Sequence, residues 1–354
     1  MTPRIEVSDL VISYGDVVAV NGISFSIQAG ELVTLLGPSG CGKTSTLRAI
    51  AGLEDPSSGV IRLGGQTMYS SAERRNVPSE KRGLSMVFQS YAIWPHMTVA
   101  ENVAYGLNVR KLPRAEIEQT VRRVLDMVRM GGYADRPASK LSGGQQQRVA
   151  VARAIAFSPT VLLFDEPLSN LDAKLRTEMR VEIRELQRQL DVTSVYVTHD
   201  QEEALAISDR IIVMDHGRIE QIGPPETIYN RPSSLFVADF VGAANLIPGR
   251  VTSDGVFETT GGLLLSVAEP ASGEGTTVAL RSSYVELHPD SASPPSGANV
   301  ARGTIHRRMF HGDFIQYVVD WPAGQLIVRR PPTELIAEGA PVKIVFSPDH
   351  CILL

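Results

Sequence analysis

The chain has 354 residues, of which 43% are hydrophobic and 21% are charged, and its formal net charge is −5. These values indicate a folded protein of more than one domain, and the acidic balance argues against a general nucleic-acid-binding protein. The sequence contains no run of about twenty apolar residues that would predict a membrane-spanning helix. Two distant cysteines do not predict a disulfide framework, so we expect a reducing compartment, most simply the cytoplasm.

Short apolar runs alternate with helical patterns from the N-terminus to about Ser234. Four of these runs are uniformly apolar, which is typical of parallel strands that are covered on both faces. They are LVTLL at 32–36, LSMVF at 84–88, VLLF at 161–164 and SVYVT at 194–198. The pattern predicts an α/β layer architecture, with a first domain over residues 4–234.

The sequence GPSGCGKT, at 37–44, fits the phosphate-loop pattern G-x-x-x-x-G-K-[ST] between an apolar strand and a helix. We expect the loop to surround the phosphates of a nucleotide, Lys43 to reach the terminal phosphates, and the Thr44 hydroxyl to bind Mg²⁺. The residues expected around the phosphates are Gly37, Pro38, Ser39, Gly40, Cys41 and Gly42. Because Cys41 lies at a helix N-terminus, the helix dipole predicts a reactive thiolate there.

A second anion site is predicted at KLSGGQQQR, residues 140–148. Ser142 and Gln145 form a capping-box pattern, and Gly143 and Gly144 leave the helix N-terminus open to an anion. A helix capped for stability alone would explain the capping box but not the glycine pair.

Two consecutive carboxylates follow the apolar run VLLF. A strand end of this kind lies at the edge of the sheet where ligands bind in open α/β folds. Asp165 is therefore predicted to enter the Mg²⁺ shell, and Glu166 is predicted to act on the attacking water as a general base.

After about Gly242 the pattern changes to short β-rich segments separated by Gly and Pro. This spacing predicts a small all-β barrel or sandwich, and we assign residues 235–354 to a second domain.

Taken in order, these motifs resemble those of the ATP-binding subunit of an ABC transporter. The resemblance covers the whole first domain, and the LSGGQ motif is specific to this class. The motifs are GPSGCGKT, Gln89 of FQS, LSGGQQQR, LLFDEP, SNLD and His199 of VTHD. The β-rich part is similar to the OB-like accessory domain of importer ATPases for sugars, sulfate, polyamines and ferric iron.

The resemblance implies roles for further residues. Tyr14 would stack on the adenine, Gln89 would contact Mg²⁺ or the attacking water, and His199 would hold the γ-phosphate and position Glu166. It also implies a head-to-tail homodimer, in which Ser142, Gly143, Gly144 and Gln145 of one copy cap the γ-phosphate of an ATP held by the other. The SNLD turn, which ends at Asp172, would line the dimer interface.

The resemblance further implies a membrane partner. In the family, the region 89–107 receives a short helix from an integral-membrane permease, and Trp94 lies in this region. Trp94 is equally well explained as a packed core residue. The expected location is the cytoplasmic face of the inner membrane, with a periplasmic or surface solute-binding protein as an indirect partner and no nucleic acid.

The segments AIWPHMTVAENVAYGL and LDAKLR look most like those of importers for ferric iron or polyamines. Sugar, sulfate, phosphonate and thiamine systems stay open as alternatives. A soluble ABC ATPase of translation or DNA repair is a rival, although such proteins usually join two ATPase halves or insert a long coiled coil. A second rival makes the β-rich domain a module that binds a ligand or a partner and has a regulatory role.

Overall fold

The computed structural model describes residues 4–252, 254–267, 276–291, 295–333 and 335–354. The chain forms two compact units, of which the first ends at Pro225 and the second begins at Glu226. The sequence placed the boundary later, at Ser234. Arg281 explains the difference, because this buried side chain donates hydrogen bonds to the carbonyl oxygens of Tyr229, Ala238 and Val241. The residues just after Pro225 are therefore held by the β-rich unit.

Eight α-helices lie in the described part of the chain. They are α1 (Lys43–Ala51), α2 (Val99–Val109), α3 (Arg114–Met127), α4 (Gly143–Ile155), α5 (Ala173–Leu190), α6 (Gln201–Ile207), α7 (Pro225–Asn230) and α8 (Leu235–Phe240). None of the described helices is both long enough and apolar enough to cross a membrane.

The first unit contains eleven described strands. They are β1 (Ile5–Tyr14), β2 (Val17–Ile27), β3 (Leu32–Leu36), β4 (Ser58–Leu63), β5 (Gln66–Ser70), β6 (Arg75–Asn76), β7 (Leu84–Val87), β8 (Val161–Asp165), β9 (Thr193–Thr198), β10 (Arg210–Asp215) and β11 (Arg218–Gly223). They form a five-stranded sheet in the order β2-β1-β4-β5-β6 and a six-stranded sheet in the order β11-β10-β3-β9-β8-β7.

The six-stranded sheet is the predicted parallel core. Strands β10, β3, β9, β8 and β7 are parallel, and only the edge strand β11 is antiparallel. Leu162 and Phe164 of β8 pack into one apolar cluster, whereas Val161 and Leu163 pack into another. Because both faces of β8 are buried in this way, its residues need no polar alternation. The fold class is therefore confirmed for the first unit.

The sequence analysis did not predict the five-stranded antiparallel sheet, whose strands β1 and β2 precede the phosphate loop and whose strands β4, β5 and β6 follow it. Its long strands β1 and β2 are interrupted by register shifts, and near the end of β2 the buried Ile23, Phe25 and Ile27 alternate with the exposed Ser24 and the partly exposed Ser26. Antiparallel strands of this kind alternate between apolar and polar residues and therefore lack the uniform apolar runs used for the prediction.

The second unit is all β apart from its short helices and turns. Its described strands are β12 (Asn245–Val251), β13 (Phe257–Thr259), β14 (Leu264–Leu265), β15 (Thr277–Leu280), β16 (Glu286–Pro289), β17 (Asn299–Phe310), β18 (Ile315–Trp321), β19 (Gly324–Arg330), β20 (Pro341–Phe346) and β21 (Ile352–Leu353). They form two antiparallel sheets, in the orders β14-β13-β12-β15-β21 and β16-β20-β17-β18-β19. One apolar core, which includes Phe257 and Tyr317, is shared by both sheets. The OB-like all-β prediction is confirmed.

Candidate nucleotide-binding site

Three neighbouring parallel strands bring the predicted site residues to one edge of the sheet. The phosphate loop follows β3, Glu166 follows β8, and His199 follows β9. Strand β9 pairs with both β3 and β8, so the three carboxyl ends are adjacent. This is the edge at which ligands bind in open α/β folds.

The phosphate loop is tightly packed where glycine is required. A Cβ on Gly37 would lie 2.2 Å from the carbonyl oxygen of Met214, and a Cβ on Gly42 would lie 2.5 Å from that of Ala19. Gly42 also has a φ of 98°, which favours glycine, and it immediately precedes α1. The loop therefore cannot adopt this path with larger residues at these two positions.

Lys43 points back into its own loop. Its Nζ donates hydrogen bonds of 2.8 Å to the carbonyl oxygens of both Gly37 and Pro38. The side chain is 5% exposed, so the ammonium group is already desolvated and paired. A phosphate group that binds here would replace neutral carbonyl acceptors with charged ones, which form stronger hydrogen bonds to an ammonium group.

The prediction of a reactive Cys41 thiolate is wrong. Cys41 is only 2% exposed, and burial raises the pKa of its thiol even though Lys43 acts in the opposite direction. Lys43 Nζ lies 3.6 Å from Cys41 Sγ. Desolvation outweighs the nearby positive charge, because moving a thiolate out of water is costly.

Asp165 is held beside the start of α1. Its Oδ1 accepts a 3.0 Å hydrogen bond from Thr44 Oγ1, and its Oδ2 lies 3.7 Å from Arg48. Burial raises the pKa of Asp165, while the Thr44 hydrogen bond and the Arg48 charge oppose this shift. Arg48 was not predicted from the sequence, because its position one turn after Thr44 carries no motif.

Glu166 and His199 contact each other. His199 Nδ1 lies 3.2 Å from Glu166 Oε1. Glu166 has a φ of 44°, in the left-handed region, and its N–H donates to the carbonyl oxygen of Val197 at 3.1 Å. Its carbonyl oxygen accepts a 3.0 Å hydrogen bond from Ser169 Oγ. The unusual backbone conformation is thus fixed from both sides, as is common at functional sites.

Gln89 is joined to the turn that follows Glu166. Its Nε2 donates to Ser169 Oγ at 3.3 Å, and its carbonyl oxygen accepts from Asn170 Nδ2 at 2.9 Å. Asp172 ends this turn and caps α5, because its side chain accepts a 3.0 Å hydrogen bond from the N–H of Leu175. The turn therefore links Gln89 to the C-terminal end of β8, where Asp165 and Glu166 lie.

Tyr14 lies at the end of β1 with 53% of its surface exposed. Its hydroxyl group is 2.9 Å from Ser45 Oγ in the first turn of α1. The hydrogen bond anchors the side chain next to the phosphate loop while much of the ring stays accessible.

The capping box at the start of α4 is present as predicted. The N–H of Gln145 donates to Ser142 Oγ at 3.4 Å, and the N–H of Ser142 donates to Gln145 Oε1 at 3.1 Å. Gly144 has a structural role that the sequence did not indicate, since a Cβ there would lie 2.6 Å from Leu175 of α5. At Gly143 the nearest side-chain atom, of Leu171, would be at 3.3 Å.

The sequence analysis did not predict a polar network next to His199. Arg176 of α5 donates to Asp200 Oδ2 at 3.3 Å and to the carbonyl oxygen of Leu171 at 3.1 Å. Buried Glu203 accepts hydrogen bonds from Thr198 at 2.8 Å and from Tyr196 at 3.1 Å. Burial raises the pKa of Glu203, and the hydrogen bond from Thr198 opposes the shift.

A cavity of about 30 Å³ connects this network to the catalytic candidates. Its lining residues are Glu166, Ser169, Arg176, Thr198, His199, Asp200 and Glu203. These residues come from two separate chain segments, 166–176 and 198–203, and no single motif spacing relates them.

The site combines a phosphate loop and a carboxylate pair at the edge of a parallel sheet, and a histidine contacts one of the carboxylates. This combination defines a P-loop nucleoside triphosphatase. A family model described as ABC transporter matches residues 20–169, and one described as TOBE domain matches residues 278–354.

Full-length relatives agree with these matches. The chain is 46% identical to the "Fe(3+) ions import ATP-binding protein FbpC" of Brucella abortus, over 91% of this chain and 89% of the relative. The protein of that name from Photorhabdus laumondii is 43% identical, over 94% and 91%. The "Spermidine/putrescine import ATP-binding protein PotA" of Rubrobacter xylanophilus is 41% identical, over 96% and 91%.

A solved structure supports the fold of the first unit. CbiO1 from Clostridium perfringens, described as part of the ABC transporter complex cbiONQ, matches with a TM-score of 0.59 and 30% identity. The match covers 64% of this chain and 91% of the CbiO1 chain. The chain therefore belongs to the family of ATP-binding subunits of ABC transporters, and it is an ATPase of this class.

Proposed function

We propose that the chain binds Mg-ATP at the carboxyl edge of its parallel sheet and hydrolyses it to drive solute import through separate membrane subunits. The observation that carries the proposal is the contact between Glu166 and His199, at 3.2 Å, next to a phosphate loop. A carboxylate and an imidazole in contact at such an edge form a pair suited to accept a proton and to orient the acceptor.

The oxygen atoms at the loop fit Mg²⁺. Thr44 Oγ1 and Asp165 Oδ1 are 3.0 Å apart, and a hydroxyl with a carboxylate is the small set of oxygen ligands that Mg²⁺ takes alongside substrate phosphates and waters. No group of three or more His, Cys, Asp or Glu residues among the described positions could hold a metal on protein ligands alone. Thr44, Asp165 and the amide oxygen of Gln89 would hold the ion, which when bound neutralises charge on the phosphates.

The protein residues divide the remaining chemistry among themselves. Lys43 leaves its two carbonyl acceptors and donates to the terminal phosphates, and Tyr14 stacks on the adenine. Glu166 accepts the proton of the attacking water, and His199 orients the Glu166 carboxylate and contacts the γ-phosphate. The hydrogen bonds of Glu166 with Val197 and Ser169 keep its backbone in place during this step.

The test compares Glu166→Gln with Glu178→Gln, which neutralises an exposed glutamate on α5. We expect Glu166→Gln to lower the rate of phosphate release by roughly 10²–10⁴-fold, because loss of a general base costs that much, and to leave ATP binding intact. The control should hydrolyse ATP at the rate of the unaltered chain. Unaltered turnover in Glu166→Gln would refute the assignment of the base.

We further propose that two copies assemble head to tail, so that Ser142, Gly143, Gly144 and Gln145 of one copy cap the ATP held by the other. Among the described residues, the hydrogen bonds of the Ser142 and Gln145 side chains join these two residues and do not reach the loop at 37–44. The capping box uses the N–H groups of Ser142 and Gln145, so among the described residues the N–H groups of Gly143 and Gly144 are left for an anion.

The import complex contains a membrane permease that contacts the segment around Trp94, and it works at the cytoplasmic face of the membrane with a solute-binding protein on the other side. Ferric iron and polyamines are the proposed solutes, because the FbpC and PotA relatives carry these names. In proteoliposomes that contain the chain and its permease, we expect a binding protein loaded with ferric iron, or one loaded with a polyamine, to stimulate ATP hydrolysis. Stimulation by a sugar-loaded or sulfate-loaded binding protein instead would refute the solute assignment.

A further inference from the structure

The segment at 89–94 is tied to the rest of the first unit at both ends. At its start, Gln89 contacts Ser169 and Asn170 in the turn after Glu166. At its end, Trp94 is held by Asn102 of α2, which accepts from the Trp94 N–H at 2.9 Å and donates to the Trp94 carbonyl oxygen at 3.1 Å. The segment therefore connects the catalytic edge of the sheet to a half-buried aromatic residue.

A single arginine from another helix holds the middle and the end of this segment. Arg153, on the last turn of α4, donates to the carbonyl oxygen of Ala92 at 2.5 Å and to that of Tyr91 at 2.8 Å. Its guanidinium carbon also lies 4.9 Å from the centre of the Trp94 ring. Trp94 in turn packs on Tyr105, with ring centres 4.3 Å apart.

The two carbonyl groups face Arg153 because of an unusual backbone conformation. Tyr91 has a φ of 61° and Ala92 a φ of 47°, so two consecutive residues other than glycine adopt the left-handed region. This conformation is disfavoured for residues with a Cβ and persists only where the surroundings enforce it. The planar guanidinium can bond both carbonyl oxygens at once, whereas a lysine ammonium has no such fixed fork.

The position of Arg153 on α4 gives these contacts a consequence. The same helix is capped at its start by Ser142, whose capping box forms the predicted second anion site, and it carries Arg153 in its last turn. A displacement of the N-terminus of a rigid helix would reach Arg153, and a displacement of the turn after Glu166 would reach the other end of the segment through the contacts of Gln89.

We propose that Arg153 is a positioning residue that makes helix α4 and the segment at 89–94 move together, so that nucleotide bound at the catalytic edge changes the surroundings of Trp94. The inference rests on the proposed ATP site. It assigns to Arg153 a role in transmitting the nucleotide state to the surface around Trp94, in addition to the contacts that Gln89 makes with the turn after Glu166.

The fluorescence of Trp94 provides the test. The chain has two tryptophans, so the Trp94 signal is the difference between chains with and without Trp94→Phe, all carrying Glu166→Gln to prevent turnover. We expect Mg-ATP to change the emission of Trp94, and Arg153→Met to reduce this change by roughly fivefold or more, since both charge-assisted hydrogen bonds are lost. ATP affinity, measured separately by equilibrium dialysis, should stay within about twofold.

Two further variants keep the result interpretable. Arg153→Lys retains the charge next to Trp94 but not the double hydrogen bond, and it should reduce the change by about twofold or more even if Arg153→Met does not fold. Arg122→Met, on the exposed face of α3, should leave the change intact. A full emission change in both Arg153 variants, or none in the parent chain with ATP bound, would overturn the inference. Failure of the parent to bind ATP would instead count against the proposed function.

Discussion

Glu166 and Lys43 show at the residue scale how much a motif can predict. The spacing of GPSGCGKT and LLFDEP predicted which side chains meet at the sheet edge, because parallel strands end together. It could not predict that Lys43 bonds its own loop, or that Glu166 adopts a φ of 44°. Both depend on the exact path of the backbone, which is set by contacts with distant residues such as Val197.

Burial also explains the wrong prediction for Cys41. Helix position favours a thiolate, but the sequence does not show how deeply the loop is packed against β2 and β10. The other cysteine, Cys351, is buried too, and burial raises its pKa to about 12. Because both pKa values are raised, the thiols stay protonated up to a higher pH in the folded chain than in the unfolded one.

We therefore predict that neither cysteine reacts rapidly with a thiol-specific reagent in the native protein at pH 8. Both thiols should react once the chain is unfolded in guanidinium chloride, because the unfolded thiols have ordinary pKa values near 8.5 and free access to solvent. A colorimetric thiol assay counts the reactive groups in each state. Rapid reaction of one thiol in the folded chain would show that the burial of Cys41 or Cys351 is wrong.

The helix α4 illustrates what can be predicted at the scale of an element. The pattern Ser-x-x-Gln predicted where the helix begins, because capping depends on residues close in sequence. The role of Gly144 could not be predicted in the same way, since its close contact is with Leu175, thirty-one positions later on α5. Glycine at 144 is needed for helix packing within the chain, which leaves Gly143 as the glycine without a strong packing constraint.

The two adjacent glycines provide a matched pair of substitutions. We expect Gly144→Ala to destabilise the chain by about 1–3 kcal/mol, because the added Cβ overpacks the contact with Leu175. Gly143→Ala should change stability by about 0.5 kcal/mol or less, as for other surface substitutions. Urea unfolding measures both values.

A third variant separates steric overlap from other effects on the helix. Leu175→Ala removes the atoms that the new Cβ would contact. Gly144→Ala should therefore lower the free energy of unfolding much less in a chain that already carries Leu175→Ala than in the unaltered chain. Additive losses in the double variant would contradict the packing explanation.

At the scale of the whole molecule, the sequence predicted two domains, but their boundary at Ser234 was inferred from a change in local composition. The structure divides at Pro225, because α8 and most of α7 are held by the β-rich unit through Arg281. A long-range side-chain contact of this kind has no signature in local composition. The assigned ATP residues all lie before Pro225, in the first unit.

We predict that a chain ending at Pro225 folds and binds ATP with an affinity within about twofold of the full chain, because the first unit has its own apolar clusters. Isothermal titration calorimetry, with Lys43→Ala as the non-binding control, measures the affinity. A folded first unit that fails to bind ATP would show that the second unit contributes to the site.

The central claim is that each ATP is bound between the phosphate loop of one chain and the Ser142 helix of another. Two variant chains test it, and both carry Glu166→Gln to prevent turnover. One also carries Lys43→Ala, which weakens phosphate binding. The other carries Ser142→Arg, which places a bulky side chain at the second anion site. Thermal melting confirms that each is folded, and calorimetry should show that Ser142→Arg alone still binds ATP.

Sedimentation velocity of the mixed chains with ATP gives the decisive result. A mixed dimer contains one site with both faults and one intact site, in which the loop of the Ser142→Arg chain meets the helix of the Lys43→Ala chain. We predict an ATP-dependent dimer in the mixture when neither chain dimerises alone. A mixture that stays as monomeric as its two components would contradict the account.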